Sequence, residues 1–332
     1  QYHLERAGGS RSHFISRIGS YHGNTLGALA VGGHSGRREP YAPMLMASSQ
    51  IEACHVYRNR RDDESEEMYG RRAADALETE ILRVGPENVA AFIAEPVGGA
   101  TMGCVPPVPG YFARVREICD AYEVILIADE VMCGMGRTGH LFALAEEGVC
   151  ADIVIIAKGL GAGYQPIGAV MASGAVVDAV YQGSGRLANG HTYMSHPVAC
   201  AGALAALTAI EQEGLLGKVR ILGNELLRLL TEAFGNHRHI GDIRGRGLFY
   251  AIELVEDRTA KTPFPAALGL ADRIRSEGMA NGLICYPSSG TADGVNGDHV
   301  LIAPPFICSE NDLAEIVSRL SRTVETVLAE AA

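Results

Sequence analysis

The sequence predicts an α/β fold: a three-layer α/β/α major domain followed by a smaller α+β C-terminal domain. Three observations predict it. Short uninterrupted apolar runs alternate with segments of helical spacing, as expected of strands covered by helices on both faces. The first three of these runs each end in a polar or ionisable residue, the position where open α/β sheets bind ligands. Past about residue 209 the alternation gives way to a different texture of helices and isolated short strands.

Taken in order, Val89-Ala90-Ala91-Phe92-Ile93-Ala94 reads as a buried strand ending at Glu95-Pro96. Val124-Ile125-Leu126-Ile127-Ala128 is a second, ending at Asp129-Glu130, and Ile153-Val154-Ile155-Ile156-Ala157 a third, ending at Lys158-Gly159. The run from Ile167 to Ala172 predicts a fourth strand. Segments 69–83, 110–122 and 197–212 carry apolar residues at helical spacing. Beyond them, 214–235, 266–281 and 309–330 predict helices, with the run Arg244–Leu254 and a short strand near 300–303 between. The expected division is a major domain at 1–208 and a small domain at 209–332.

The composition belongs to an ordinary globular enzyme: 332 residues, 47% hydrophobic and 20% charged, enough for one large and one smaller domain. A net charge of −11 argues against a non-specific nucleic-acid binder, which needs a basic face. No apolar run approaches the length of a membrane span, and the first residues show no signal-peptide pattern. The eight cysteines form no CxxC pair and sit mostly inside apolar stretches, which predicts buried reduced thiols in a cytoplasmic protein. There are only three lysines, Lys158, Lys218 and Lys261, so lysine chemistry has three candidates.

Lys158 follows five apolar residues, an unfavourable place for an amine without a partner or a task. It either snorkels from the strand end, pairs with a carboxylate, or reacts. Lys218 on an amphipathic helix and Lys261 in a polar loop are both expected to be solvated. Asp129-Glu130 could hold a metal or a protonated ring nitrogen. No further ligand stands at metal spacing, and adjacent residues on a strand point to opposite faces, so one acid is expected at the site and the other in the structure. Gly159, Gly161 and Gly163 lack dinucleotide-fingerprint spacing. A strand-end lysine with a strand-end aspartate is what pyridoxal-phosphate chemistry requires: the amine bonds to the cofactor, and the carboxylate keeps the pyridine nitrogen protonated.

Further blocks support that reading. Ser20-Tyr21-His22-Gly23-Asn24-Thr25, Glu95-Pro96-Val97, Ala128-Asp129-Glu130-Val131 with Gly134–Gly139, Ala157-Lys158-Gly159-Leu160, His191-Thr192-Tyr193 and His196-Pro197 occur in this order. In that combination the chain resembles the class III aminotransferases, from residue 1 to about 325. The resemblance implies pyridoxal 5'-phosphate as cofactor and amino-group transfer between an amine or amino acid and an oxo acid. It implies Lys158 as the lysine bound to the cofactor and as proton shuttle, with Asp129 on the pyridine nitrogen. Val131 and Tyr21 would lie on the two ring faces, and Glu95 and His22 would support the hydrogen-bond network. Thr192 would reach the cofactor phosphate of a neighbouring subunit, which implies a homodimer with shared sites.

Certain positions depart from relatives acting on ornithine or γ-aminobutyrate, which carry glutamate and glutamine where this chain has Ala100 and Met132. The run Asp129-Glu130-Val131-Met132-Cys133-Gly134 resembles the amine–pyruvate (ω-transaminase) branch instead. That branch often places an arginine before its Gly-Asp-His segment. Here Gly294-Val295-Asn296 precedes Gly297-Asp298-His299 with no arginine, which leaves the partner of a substrate carboxylate open, with Arg244 as one candidate. Family members also grip the phosphate with a Gly-Ser-rich turn opening a helix near their N-terminus. Gln1-Tyr2-His3-Leu4-Glu5 resembles the end of that helix, so the phosphate cup is expected to lie outside the sequence given. The alternatives are a mutase, racemase or decarboxylase sharing the same electron sink, or an inactive fragment.

Overall fold

The computed structural model describes residues 1–7, 9 and 11–330. Its first sheet has six strands: β1 (His13–Arg17), β2 (Ser48–Ile51), β3 (Val89–Ala94), β4 (Ile125–Asp129), β5 (Ile153–Ile156) and β6 (Ala169–Ala172). They lie in the order β2-β1-β3-β4-β5-β6, with β6 antiparallel to β5 and every other pair parallel. β1 and β2 lack long apolar runs (His13-Phe14-Ile15-Ser16-Arg17 and Ser48-Ser49-Gln50-Ile51) and are not legible from hydrophobicity.

β3 and β4 are buried along their whole length. On one face Phe92 and Leu126 pack against Tyr69, Leu77 and Ile81 of the helix Glu66–Val84 and Phe112, Val115 and Ile118 of the helix Tyr111–Ala121. On the other face Ala91, Ile93, Ile125 and Ile127 meet Val31 and Val176. Cover on both faces thus explains the unbroken apolarity of these two runs. It does not extend to the sheet edge. β5 is only partly buried and β6 is exposed at three of its four positions, which corrects the expectation of double cover there.

The second sheet is antiparallel. It contains β7 (Ile240–Arg246), β8 (Phe249–Asp257), β9 (Thr262–Pro263), β10 (Tyr286–Ser289) and β11 (Asp298–Ile302), in the order β10-β11-β8-β7 with β9 on β8. The helices Leu215–Phe234 and Glu310–Ala329 bury Leu222, Leu226, Leu230, Leu320 and Val324 with Ile252, Leu254 and Val300 in a separate core. Val97, Cys104 and Cys133 pack with Phe249, Ala251 and Leu301, joining the two bodies. The helix Pro197–Gln212 runs unbroken through the expected boundary at 208/209. We propose that the domains divide at the following turn, Glu213-Gly214, where the hydrogen-bonded helix stops.

The polar expectations divide. Lys218 is exposed as expected, but Lys261 donates from Nζ to the Tyr57 carbonyl at 2.7 Å and stacks over that ring, so it is not free in solvent. All eight cysteines are free thiols. Cys150 and Cys200 are exposed, unlike the buried Cys54, Cys104, Cys119, Cys133 and Cys308. No helix among the described residues is long and apolar enough to cross a membrane.

Candidate active site

Parallel pairing aligns the carboxyl ends of β3, β4 and β5, bringing Glu95, Asp129 and Lys158 to one edge of the sheet. Asp129, the last residue of β4, is buried and accepts hydrogen bonds on both oxygens. His22 Nδ1 donates to Oδ2 at 2.8 Å, and the Val131 amide donates to Oδ1 at 3.1 Å. The His22 side chain is itself enclosed, and its Nε2 has no partner.

Glu95 is buried one strand away. Its Oε1 accepts from the Gly99 amide at 3.2 Å, while Oε2 is unpartnered. Burial pushes the Glu95 carboxyl above its ordinary range, and neighbouring Asp129 adds to this, against an opposing pull from His22 and Arg17. Arg17, buried at the end of β1, donates to the Glu95 carbonyl and fixes the turn behind it. Sequence reasoning missed Arg17. The signal was present, since β1 also ends in an ionisable residue, but its short apolar stretch hid the strand.

Glu130 faces the other way. Its buried carboxylate accepts from the amides of Ala143 and Leu144 at 2.9 and 2.8 Å and from Cys133 Sγ at 3.4 Å, holding the loop after β4. Alternation along the strand therefore separates the two acids, one toward the site and one into the structure.

Lys158 follows β5 with φ of +43°, a left-handed conformation that non-glycine residues rarely adopt and that costs of order 1–3 kcal/mol. The residue is exposed there. Among the described residues Nζ has no hydrogen-bond or ion-pair partner. Partial desolvation draws the amine below its ordinary range, and the charges of Asp129 and Glu95 oppose this. A lysine drawn toward neutrality is a better nucleophile.

Tyr21 and Val131 are half-buried on either side of His22 and Asp129 in sequence, and Tyr21 carries the Arg37 guanidinium over its ring at 4.9 Å. Thr192 is exposed within 181–198, a stretch exposed throughout, and does not join the others within this chain. Arg244 is not a free carboxylate ligand. It is buried, ion-paired with Glu253 and Asp242, and donates to the carbonyls of Gly103 and Met102. Arg137 is likewise committed, to the Leu248 and Pro304 carbonyls and the Phe306 ring.

An unpartnered amine, a buried carboxylate oriented by a histidine, and two orphaned buried polar atoms (His22 Nε2 and Glu95 Oε2) fit an aromatic cofactor with a ring nitrogen and polar substituents. A metal ion lacks a comparable cluster: no group of three or more ligating side chains stands together among the described residues.

Comparison with known proteins bears on this geometry. The family model for class-III aminotransferases matches residues 1–324. An aminotransferase of Schizosaccharomyces pombe is 44% identical over 96% of this chain and 70% of its own length. One of Gibberella zeae is 43% identical over 96% of this chain and 63% of its own. The ω-transaminase of Pseudomonas jessenii in complex with PMP superimposes with a TM-score of 0.90 at 35% identity, over 99% of this chain and 71% of that one. The chain thus spans between about three fifths and three quarters of the length of these relatives.

Proposed function

Because the chain belongs to the class-III aminotransferases, pyridoxal-phosphate enzymes, we propose that it transfers an amino group from an amine or amino acid to an oxo acid, in two half-reactions at one site. The observation that carries the reading is the meeting of Glu95, Asp129 and Lys158 at three strand ends, with His22 bonded to Asp129. When bound, pyridoxal phosphate supplies an electron sink for the substrate carbon that bears the amine.

The chain's own residues do the rest. Lys158 Nζ would hold the cofactor covalently and would take the proton from the substrate carbon. Its lowered affinity for protons suits both tasks. Asp129 holds a proton at the ring nitrogen. His22 fixes the orientation of that carboxylate, and the Val131 amide prevents its rotation. Tyr21 and Val131 would hold the cofactor ring between them, and the unpartnered Glu95 Oε2 would be free to accept a hydrogen bond from it.

Thr192 is exposed and has no hydrogen-bond partner among the described residues, which supports its service to a neighbouring subunit. The exposed side chains of Tyr164, Tyr193, Val198 and Leu204 support a homodimer that buries them. Free thiols are consistent with a cytoplasmic location.

The test is an assay with an amine donor and pyruvate, following both products. Alanine formed one for one with the oxo product is expected. Donor consumption without alanine would point to a mutase, racemase or decarboxylase, and no turnover of any donor to an inactive fragment.

A further inference from the structure

Amino transfer to an oxo acid requires a cation for the substrate carboxylate, and Arg244 and Arg137 are occupied. Resting on the reading above, we propose that Arg37 binds the carboxylate of oxo-acid and amino-acid substrates, and so sets the preference between acids and uncharged amines.

Arg37 is tied to the site through Tyr21. Its guanidinium carbon lies 4.9 Å from the Tyr21 ring centroid, and Tyr21 adjoins His22, whose ring is bonded to Asp129. A guanidinium resting on an aromatic face keeps its N–H edge free in the plane of the stack, and that edge is the fork that matches a carboxylate. Nothing else holds the edge strongly. The hydrogen bond from Nη1 to Asn24 Oδ1 is 3.4 Å, and Arg37 has no carboxylate partner among the described residues. Tyr21 thus limits the positions of the side chain and lowers the ordering cost of binding, while the charge stays uncompensated.

The other cations nearby are committed. Arg17 serves the Glu95 carbonyl, and Arg38 serves the carbonyls of Leu29, Ala30 and Gly32. Arg58 pairs with Glu253, and Lys261 donates to Tyr57. Arg37 is also exposed. It belongs to the short helix Ser35–Arg38. The class of ligand follows: a carboxylate carried on a small acid, held by a bidentate ion pair.

The experiment compares the cofactor-loaded enzyme with its Arg37→Gln and Arg37→Lys variants, using L-alanine and 1-phenylethylamine as donors. The ratio of kcat/KM for alanine to that for phenylethylamine is expected to fall at least about tenfold in Arg37→Gln, mainly through the KM for alanine. Arg37→Lys should recover part of it. An unchanged ratio overturns the proposal, including the case where both donors slow equally because Arg37 only props Tyr21. If wild type transfers from neither donor, the amino-transfer reading itself fails, an outcome separate from an unchanged ratio.

Discussion

The two sides of the candidate site are built differently. On the acid side, β3 and β4 are buried along their length, and Glu95 and Asp129 are held at 6% and 5% exposure by His22, Gly99 and Val131. On the lysine side, β5 is half-buried, β6 is largely exposed, and Lys158 stands open on a strained backbone. Tyr164 and Tyr193, at 85% and 81% exposure, lie in the chain that follows. The difference teaches that packing within one chain preassembles the acids. The surroundings of the lysine stay open among the described residues, and the homodimer proposed above would cover them.

Breaking the lysine side should have the largest effect. Lys158→Ala removes both attachment and proton transfer, and turnover should fall by about 10⁴-fold or more in the donor–pyruvate assay. Persistence of transfer without added amine would break the assignment. Asp129→Asn keeps the shape but loses the charge facing the ring nitrogen, and kcat should drop by about 10²- to 10³-fold with the fold intact by circular dichroism. A smaller loss in this variant than in His22→Ala would mean that the histidine, rather than the carboxylate, carries the role.

The open side can be tested by Leu204→Arg, which places a charge among the exposed apolar residues. Sedimentation should show a shift from dimer to monomer, with activity falling on dilution. A wild type that sediments as a monomer at working concentration would contradict the comparison.

The smallest effect concerns Glu95 and appears as pH dependence. Burial raises its folded pKa above the ordinary 4.5, so the folded state binds more protons than the unfolded state between 4.5 and the raised value. Stability should therefore fall as pH rises through that window. Glu95→Gln should flatten this slope in denaturant titrations at several pH values, and a slope of the same size in the variant would place its origin elsewhere.

The legible parts of the fold were those where one physical demand acted alone. β3 and β4 were readable because double burial makes them uniformly apolar. β1 and β2 were not, since their mixed residues pair in the sheet without burying a continuous apolar face. The exposed edge at β6 was hidden for the opposite reason: its apolar residues look buried in sequence but remain uncovered within one chain. At the site, strand-end position revealed Glu95, Asp129 and Lys158. The commitments of Arg244 and the stacking of Arg37 on Tyr21 are tertiary facts that spacing does not encode.

The most direct measurement is absorption of the protein with added pyridoxal phosphate, before and after borohydride reduction, followed by peptide mapping. The account predicts a visible band that reduction abolishes, with the pyridoxyl group fixed on the peptide containing Lys158. The label on Lys218 or Lys261 would contradict it.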